Sequence, residues 1–276
     1  MEARAAVETD KIVTEVRERY GRIAKEGSSC CGPGACGASD AVPVALGIGY
    51  RKEEVEAAEE ANLGLGCGAP LASLALAPGE TVLDLGSGPG FDAFLAARAV
   101  GDSGRVIGVD MTPEMLDRAR RTAARLGLAH VEFREGRLEA LPVDDASIDA
   151  VTSNCVINLV PDKARVFREV ARVLKPGGRL VISDIVLDGP LPEAVEKDVF
   201  AYVGCVSGAA LRDDNFARMR EAGLGEIEVL KDVDYLEGLR EAAPAEAQEL
   251  LARTGVRWED VTGRVRSLTF RARKAA

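Results

Sequence analysis

Two kinds of residue in this 276-residue chain could do chemistry: a glycine run behind an acid, and a scattered set of thiols. In Asp84-Leu85-Gly86-Ser87-Gly88-Pro89-Gly90, three glycines alternate with other residues. Glycine lets the backbone turn tightly and approach a ligand closely. A dinucleotide fingerprint wants Gly-x-Gly-x-x-Gly, its third glycine allowing helix and strand to pack. Phe91 occupies that third position here. Asp84, two residues before the first glycine, is awkward beside a pyrophosphate and natural beside an ammonium group. Asp110 lies 24 residues beyond Gly86, where an acid can accept hydrogen bonds from two ribose hydroxyls. Alone, Asp110 could as readily begin a turn; the glycine run upstream favours the ribose. S-adenosylmethionine carries an ammonium and a sulfonium and no phosphate, and it suits this set of residues.

The thiols are Cys30, Cys31, Cys36, Cys67, Cys155 and Cys205, and the one histidine is His130. A single histidine excludes a His-rich metal site, and a Ser-His-Asp triad or a Cys-His pair would have to use His130, so sulfur must do most of any metal or metalloid binding. His130 itself reads as a residue preceding a strand. Cys67 lies in the loop Gly64-Leu65-Gly66-Cys67-Gly68. Cys155 lies in Ser153-Asn154-Cys155-Val156-Ile157-Asn158, and Cys205 in Val203-Gly204-Cys205-Val206-Ser207-Gly208. Free cysteine is among the most buried residue types, and Cys155 alone reads as an inert buried thiol. Three thiols converging on one methyl donor make a soft trigonal site. Thiolates select soft centres, and the set matches no C-x₂₋₄-C zinc spacing. A trivalent metalloid suits it: thiolates bind it, and its lone pair attacks a methyl carbon placed in line, about 3–3.5 Å away. The Cys30-Cys31-x₄-Cys36 run also reads as an arm that captures a soft ion without a catalytic role.

The elements that must position these residues begin at Thr81. Strands are predicted over Thr81–Leu85, Arg105–Val109, Val131–Arg134, Ser147–Ser153 and Arg179–Val186. Helices are predicted over Phe91–Val100, from Thr112-Pro113-Glu114 onward with a threonine cap and proline at its first position, and over Lys163–Leu174. Such alternation predicts a doubly wound parallel sheet, with ligands beyond the carboxyl ends of its strands. Two helices near Glu193–Gly204 and Asp213–Ala222 precede two closing strands, Glu226–Asp232 and Arg264–Arg273, the latter pair antiparallel. Upstream, Ile12, Val13, Val16, Tyr20 and Ile23 recur at helical spacing in a segment ending at Gly27. Residues 28–37 are too rich in Gly, Pro and Ser for regular structure. Arg51–Ala61 reads as a short helix with a solvated acidic face.

These motifs resemble the class I S-adenosylmethionine-dependent methyltransferases from about Thr81 to Val186, Leu174-Lys175-Pro176-Gly177-Gly178-Arg179-Leu180 included. The resemblance implies a Rossmann-like, mostly parallel seven-stranded sheet with an N-terminal helical, thiol-rich arm. It divides the chain into an N-terminal segment (1–66), a cofactor-binding core (67–231) and a closing helix and strand (232–276). It also implies a cofactor set of Asp84, Gly86, Ser87, Gly88, Gly90, Asp110, Met111, Leu138, Glu139 and Asn154. Within it Asp84 lies near the methionine moiety, Asp110 holds the ribose, and Met111 and the Gly136–Glu139 segment border the adenine. Asn62–Gly68, Ser153–Leu159 and Tyr202–Ala209 narrow the likeness to the arsenite methyltransferases. That family implies that Cys67, Cys155 and Cys205 handle arsenic, and that Cys155 and Cys205 hold it during transfer. An N-terminal thiol, Cys30 or Cys31 here, pairs with Cys67 in turnover, with thioredoxin or glutathione as reductant. Longer members carry a further C-terminal domain, which leaves the number of methylations open.

Composition sets the outer bounds. A net charge of −10 and a sequence pI near 4.9 make a poor ligand for nucleic acid or anionic membrane. No apolar run approaches the ~20 residues of a membrane helix, and residues 1–11 lack a signal-peptide core. The expected location is the cytoplasm, and the expected substrate is arsenite or its thiol adducts. Two other readings remain: a quinone or small-molecule carbon methyltransferase, and a non-catalytic thiol buffer or sensor for metalloids.

Overall fold

The computed structural model describes residues 2–26, 41–196, 206, 208–242, 248 and 251–276. Its first elements are α1 (Glu2–Glu26), α2 (Ala41–Ile48), α3 (Lys52–Ala57), β1 (Thr81–Leu85), α4 (Phe91–Val100), β2 (Arg105–Asp110), α5 (Pro113–Leu126) and β3 (Val131–Glu135). There follow β4 (Ile148–Asn154), α6 (Lys163–Val173), β5 (Leu174–Leu187), α7 (Arg212–Glu221), β6 (Leu224–Asp234), α8 (Tyr235–Ala242) and β7 (Val265–Lys274).

The seven strands form one sheet in the order β3-β2-β1-β4-β5-β7-β6. The first five are parallel; β7 runs antiparallel between β5 and β6. Alternate residues of β1 show how both faces are covered. Val82 packs with Phe94 and Ala97 of α4 and Leu116 of α5. Leu83 and Leu85 pack on the other face with Val166, Phe167 and Val170 of α6. The strand order reverses between β1 and β4, and the crevice at that point is where such sheets bind ligands.

The doubly wound sheet matches the expectation, with local differences. β5 starts at Leu174 rather than Arg179: Leu174 is fully buried and pairs with Ile148, and the register shifts before Ala150 meets Arg179. Pro176-Gly177-Gly178 is thus an irregularity inside a strand. The helix expected over Arg51–Ala61 breaks at Ala58, whose backbone leaves the helical region and whose side chain is buried. A separate 3₁₀ turn follows at Glu59–Ala61. Thr112 precedes α5 but makes no capping bond; its hydroxyl supports Asp110 instead. At α6 the cap is Asp162, which accepts from the Arg165 N–H at 2.9 Å.

α1 packs against the carboxyl end of the sheet. Val16 is buried in one cluster with Cys67, Leu159 and Ile185, and Ile23 and Ala24 pack with Leu63 and Met115. Lys25 pairs with Glu114 at 2.9 Å. The expected stop at Gly27, the thiol-rich segment after it, and the end of the helix expected over Glu193–Gly204 lie outside the described residues. The part of that helix described is a single turn, Glu193–Glu196.

Candidate active site

The glycine loop leaves β1 at the switch point. Gly86, Gly88 and Gly90 have φ of 64°, 52° and 96°, in the left-handed region that side chains avoid. The Gly86 and Ser87 N–H groups donate to the Val109 carbonyl at 2.8 and 3.1 Å, tying the loop to β2. A Cβ on Gly86 would strike Val156, and one on Gly90 would meet Phe94 and Phe133 at 2.8 Å. At Gly88 a Cβ would have no neighbour within 4 Å, so the loop opens there.

Three carboxylates surround this opening. Asp84 is 3% exposed, and its Oδ2 has no hydrogen-bond partner among the described residues. Asp92, in the first turn of α4, accepts from the Tyr50 hydroxyl at 2.7 Å. Asp110 accepts from the Gly88 N–H at 2.9 Å and the Thr112 N–H at 2.8 Å. Burial pushes Asp84 well above the usual carboxylate range, and the like charges of Asp92 and Asp110 push it further. Burial raises Asp92 to about 6 against the opposing bonds from Tyr50 and Asn154, and it raises Asp110. Burial and Asp92 hold the Tyr50 hydroxyl protonated, so it stays a donor. Carboxylates pressed together with an unpartnered oxygen suit a cation and repel a phosphate. The residues therefore fit S-adenosylmethionine, whose sulfonium and ammonium would supply the missing charge.

The thiols stand beside this pocket. The Cys67 N–H donates to Asn154 Oδ1 at 3.0 Å, and the Cys67 carbonyl accepts from the Ser267 hydroxyl at 2.6 Å. Asn154 Nδ2 donates to the Tyr50 hydroxyl at 2.9 Å and the Gly68 carbonyl at 2.8 Å, with Asp92 Oδ2 at 3.4 Å. Gly68 leaves no room for a side chain, since its Cβ would lie 2.6 Å from Ser183 Oγ. Cys155 follows β4 with φ of 57°, strained for a residue with a Cβ, and its N–H donates to the Ser183 carbonyl at 2.8 Å. The Cys67 and Cys155 sulfurs and a carboxylate oxygen of Asp184 all lie within 4.8 Å of one another.

The other expected residues sit as follows. Ser87 is buried against Gly108, and Met111 packs on the cluster that holds Cys67. Leu138 is in the main core, and Glu139 pairs with Arg137 at 2.7 Å. Cys205, Cys30, Cys31 and Cys36 lie outside the described residues. His130 Nε2 lies 3.3 Å from the Ala97 carbonyl, at the end of α4, so the chain's single imidazole is engaged away from the thiols.

Reasoning from the sequence missed Tyr50, Asp92 and Asp184. Asp184 did carry a signal: it is a carboxylate inside the apolar run Leu180–Leu187, which a buried strand admits only with hydrogen-bond partners. Asp92 carried a weaker one, an acid two residues after the last glycine of the loop.

A carboxylate-lined opening at this switch point marks the doubly wound methyltransferases that use S-adenosylmethionine. A family model described as a methyltransferase domain matches residues 76–251. The chain is 50% identical over 224 residues to an arsenite methyltransferase of Halobacterium salinarum, covering 78% of this chain and 57% of that one. It is 35% identical to the crystal structure of an arsenic (III) S-adenosylmethionine methyltransferase from Chlamydomonas reinhardtii, with a TM-score of 0.63 over 85% of this chain and 74% of that one. The chain belongs to the arsenite methyltransferase family. An arsenite methyltransferase of Aquipseudomonas alcaligenes is 44% identical over 174 residues, 60% of this chain and 50% of its own. The chain thus spans little more than half the length of these two curated relatives.

Proposed function

We propose that this protein transfers methyl groups from S-adenosylmethionine to trivalent arsenic held by cysteine thiolates, as a step in arsenic detoxification. The observation that carries the reading is the approach of the Cys67 and Cys155 sulfurs at the carboxyl end of β4, next to the cofactor opening. Arsenite arrives free or as a thiol adduct, and thiol exchange moves it onto Cys67 and Cys155, with Cys205 as the third ligand. Each arsenic–sulfur bond forms as the thiol's proton leaves with an arsenite hydroxide as water, or with the departing thiol of the adduct, and the attacking species is the thiolate. Asp84 lies by the methionine end of the cofactor and Asp110 by its ribose. Gly86, Ser87, Gly88 and Gly90 shape the loop; Met111, Leu138 and Glu139 border the adenine; Asn154 links Tyr50 and Asp92 to Cys67. S-adenosylmethionine supplies the methyl group, and the chain's residues orient it and exclude water. Cys30 or Cys31 pairs with Cys67 during turnover, the two electrons of that pairing returning the methylated arsenic to the trivalent state, and thioredoxin or glutathione restores the thiols. The setting is the cytoplasm; no helix among the described residues is long and apolar enough to cross a membrane.

A carbon methyltransferase would need a base beside its acceptor, and the only imidazole is engaged elsewhere. The test is to mix purified protein, S-adenosylmethionine, arsenite and a thiol. S-adenosylhomocysteine and methylated arsenic should appear together. Folded, cofactor-binding protein that makes no methylated arsenic would sink the reading. Cys155→Ser should abolish turnover and leave cofactor affinity intact by calorimetry; loss of cofactor binding would instead make Cys155 a packing residue.

A further inference from the structure

Asp184 is the buried group at the thiols that the reaction above leaves without a role. It lies near the end of β5, 2% exposed. Its Oδ2 accepts from the Ile157 N–H at 3.0 Å and the Asn158 N–H at 3.3 Å. Its Oδ1 accepts from Asn158 Nδ2 at 2.6 Å and the Ile185 N–H at 2.9 Å. All four partners donate. A protonated acid would have to aim its own O–H at one of them, so the arrangement fits the ionised form. Burial raises this carboxyl to about 7 against the opposing pull of the backbone donors and Lys163. Lys163 is itself buried, its Nζ donating to the Asn158 and Val160 carbonyls at 3.3 and 3.0 Å.

Thiol chemistry alone gives no reason for a carboxylate here: three anions within 4.8 Å would repel one another. A centre that becomes cationic between the sulfurs does give one. On the arsenic reading, the arsenic lone pair forms a bond to the methyl carbon while the carbon–sulfur bond breaks. The electron pair of that bond stays on sulfur. No proton moves and no outside oxidant takes part, because arsenic supplies the two electrons. One positive charge leaves the cofactor's sulfur and arrives on arsenic. We propose that Asp184 stabilises the positive charge that develops on arsenic during methyl transfer. The proposal rests on the arsenic reading. Four fixed donors hold the carboxylate in place before reaction, so it stabilises that charge with little reorganisation.

The test compares Asp184→Asn with the unaltered full chain. Arsenite affinity is read from the near-ultraviolet band of the arsenic–thiolate bonds, cofactor affinity by calorimetry, and methyl transfer in a single turnover. Losing a preorganised electrostatic group predicts a transfer rate about 100-fold lower. Both affinities should stay within about 3-fold, since only a transition-state interaction is removed. A rate within about 3-fold of the unaltered chain overturns the proposal, as does a rate loss matched by lost arsenite binding. Asn158→Leu keeps the charge and removes one anchor; it should slow transfer by less than about 5-fold. An equal loss in that variant would make Asp184 an anchor of the turn and nothing more. Should Asp184→Asn fail to fold, Asp184→Ser replaces it under the same criteria. If the unaltered chain does not methylate arsenite, the arsenic reading itself fails; if it does and the variants keep their rate, only the role of Asp184 falls.

Discussion

Asn154 is where the cofactor opening and the thiols meet. One amide fixes the Cys67 N–H, the Gly68 carbonyl and the Tyr50 hydroxyl, which in turn holds Asp92. Asn154→Ala leaves several buried polar groups without partners, each costing about 1–3 kcal/mol. The expected outcome is a lower urea midpoint together with a faster reaction of Cys67 with alkylating reagents. Unchanged alkylation would mean that Asn154 does not position Cys67. Gly86→Ala forces a side chain into Val156 at a left-handed residue. Such strain costs about 1–3 kcal/mol, and calorimetry should show weaker cofactor binding. At this scale the sequence was legible where chemistry was local. Asp84 and the glycines lie in one motif. The Tyr50–Asn154 contact joins residues 104 apart, and the Cys67–Ser267 bond residues 200 apart, so no local pattern announces either.

Among the elements, α1 does the least expected work. Its apolar stripe was legible from helical spacing, but its docking site was not. Val16, 1% exposed, enters the cluster that contains Cys67, against which Cys155 and Met111 also pack. Val16→Asp would bury an unpaired carboxylate at that contact. Thermal denaturation should show a lower midpoint, and Cys67 should become more reactive towards alkylating reagents. Unaltered Cys67 reactivity would mean that α1 does not shield the thiols. β1, β2 and α4 were read correctly, or within one residue, because their apolar periods are unbroken and glycine or proline bounds them. β5 was not, since proline and two glycines look like an end. The buried side chain of Leu174 and its pairing with Ile148 decide otherwise.

For the whole molecule, the buried acids set how pH acts. Asp92 holds its proton up to about 6 when folded, against ~3.9 for an unfolded aspartate. Between these values the folded state binds more protons, so this group's contribution to stability falls as pH rises. The cost of holding Asp92 ionised is absent below about 4 and complete above about 6. Glu132 works the other way. Held at about 2 by Arg134 and Arg105, it stabilises the fold above ~4 and loses that contribution as pH falls towards about 2. A cationic ligand needs the acids ionised, so cofactor affinity should rise through pH 6 and be about ten-fold weaker at pH 5 than at pH 7.5. Calorimetry across that range checks it; a flat profile would mean that Asp92 does not sense the bound charge.

The bond from Ser267 to the Cys67 carbonyl also has a consequence in time. Ser267 lies on β7, which fills the gap between β5 and β6. A ribosome must make some 200 further residues after Cys67 before that bond can form. Contacts of such long sequence separation close slowly. Until then the Cys67 loop lacks its last anchor, and a nascent chain would present that thiol unguarded, at an age when it cannot yet use it.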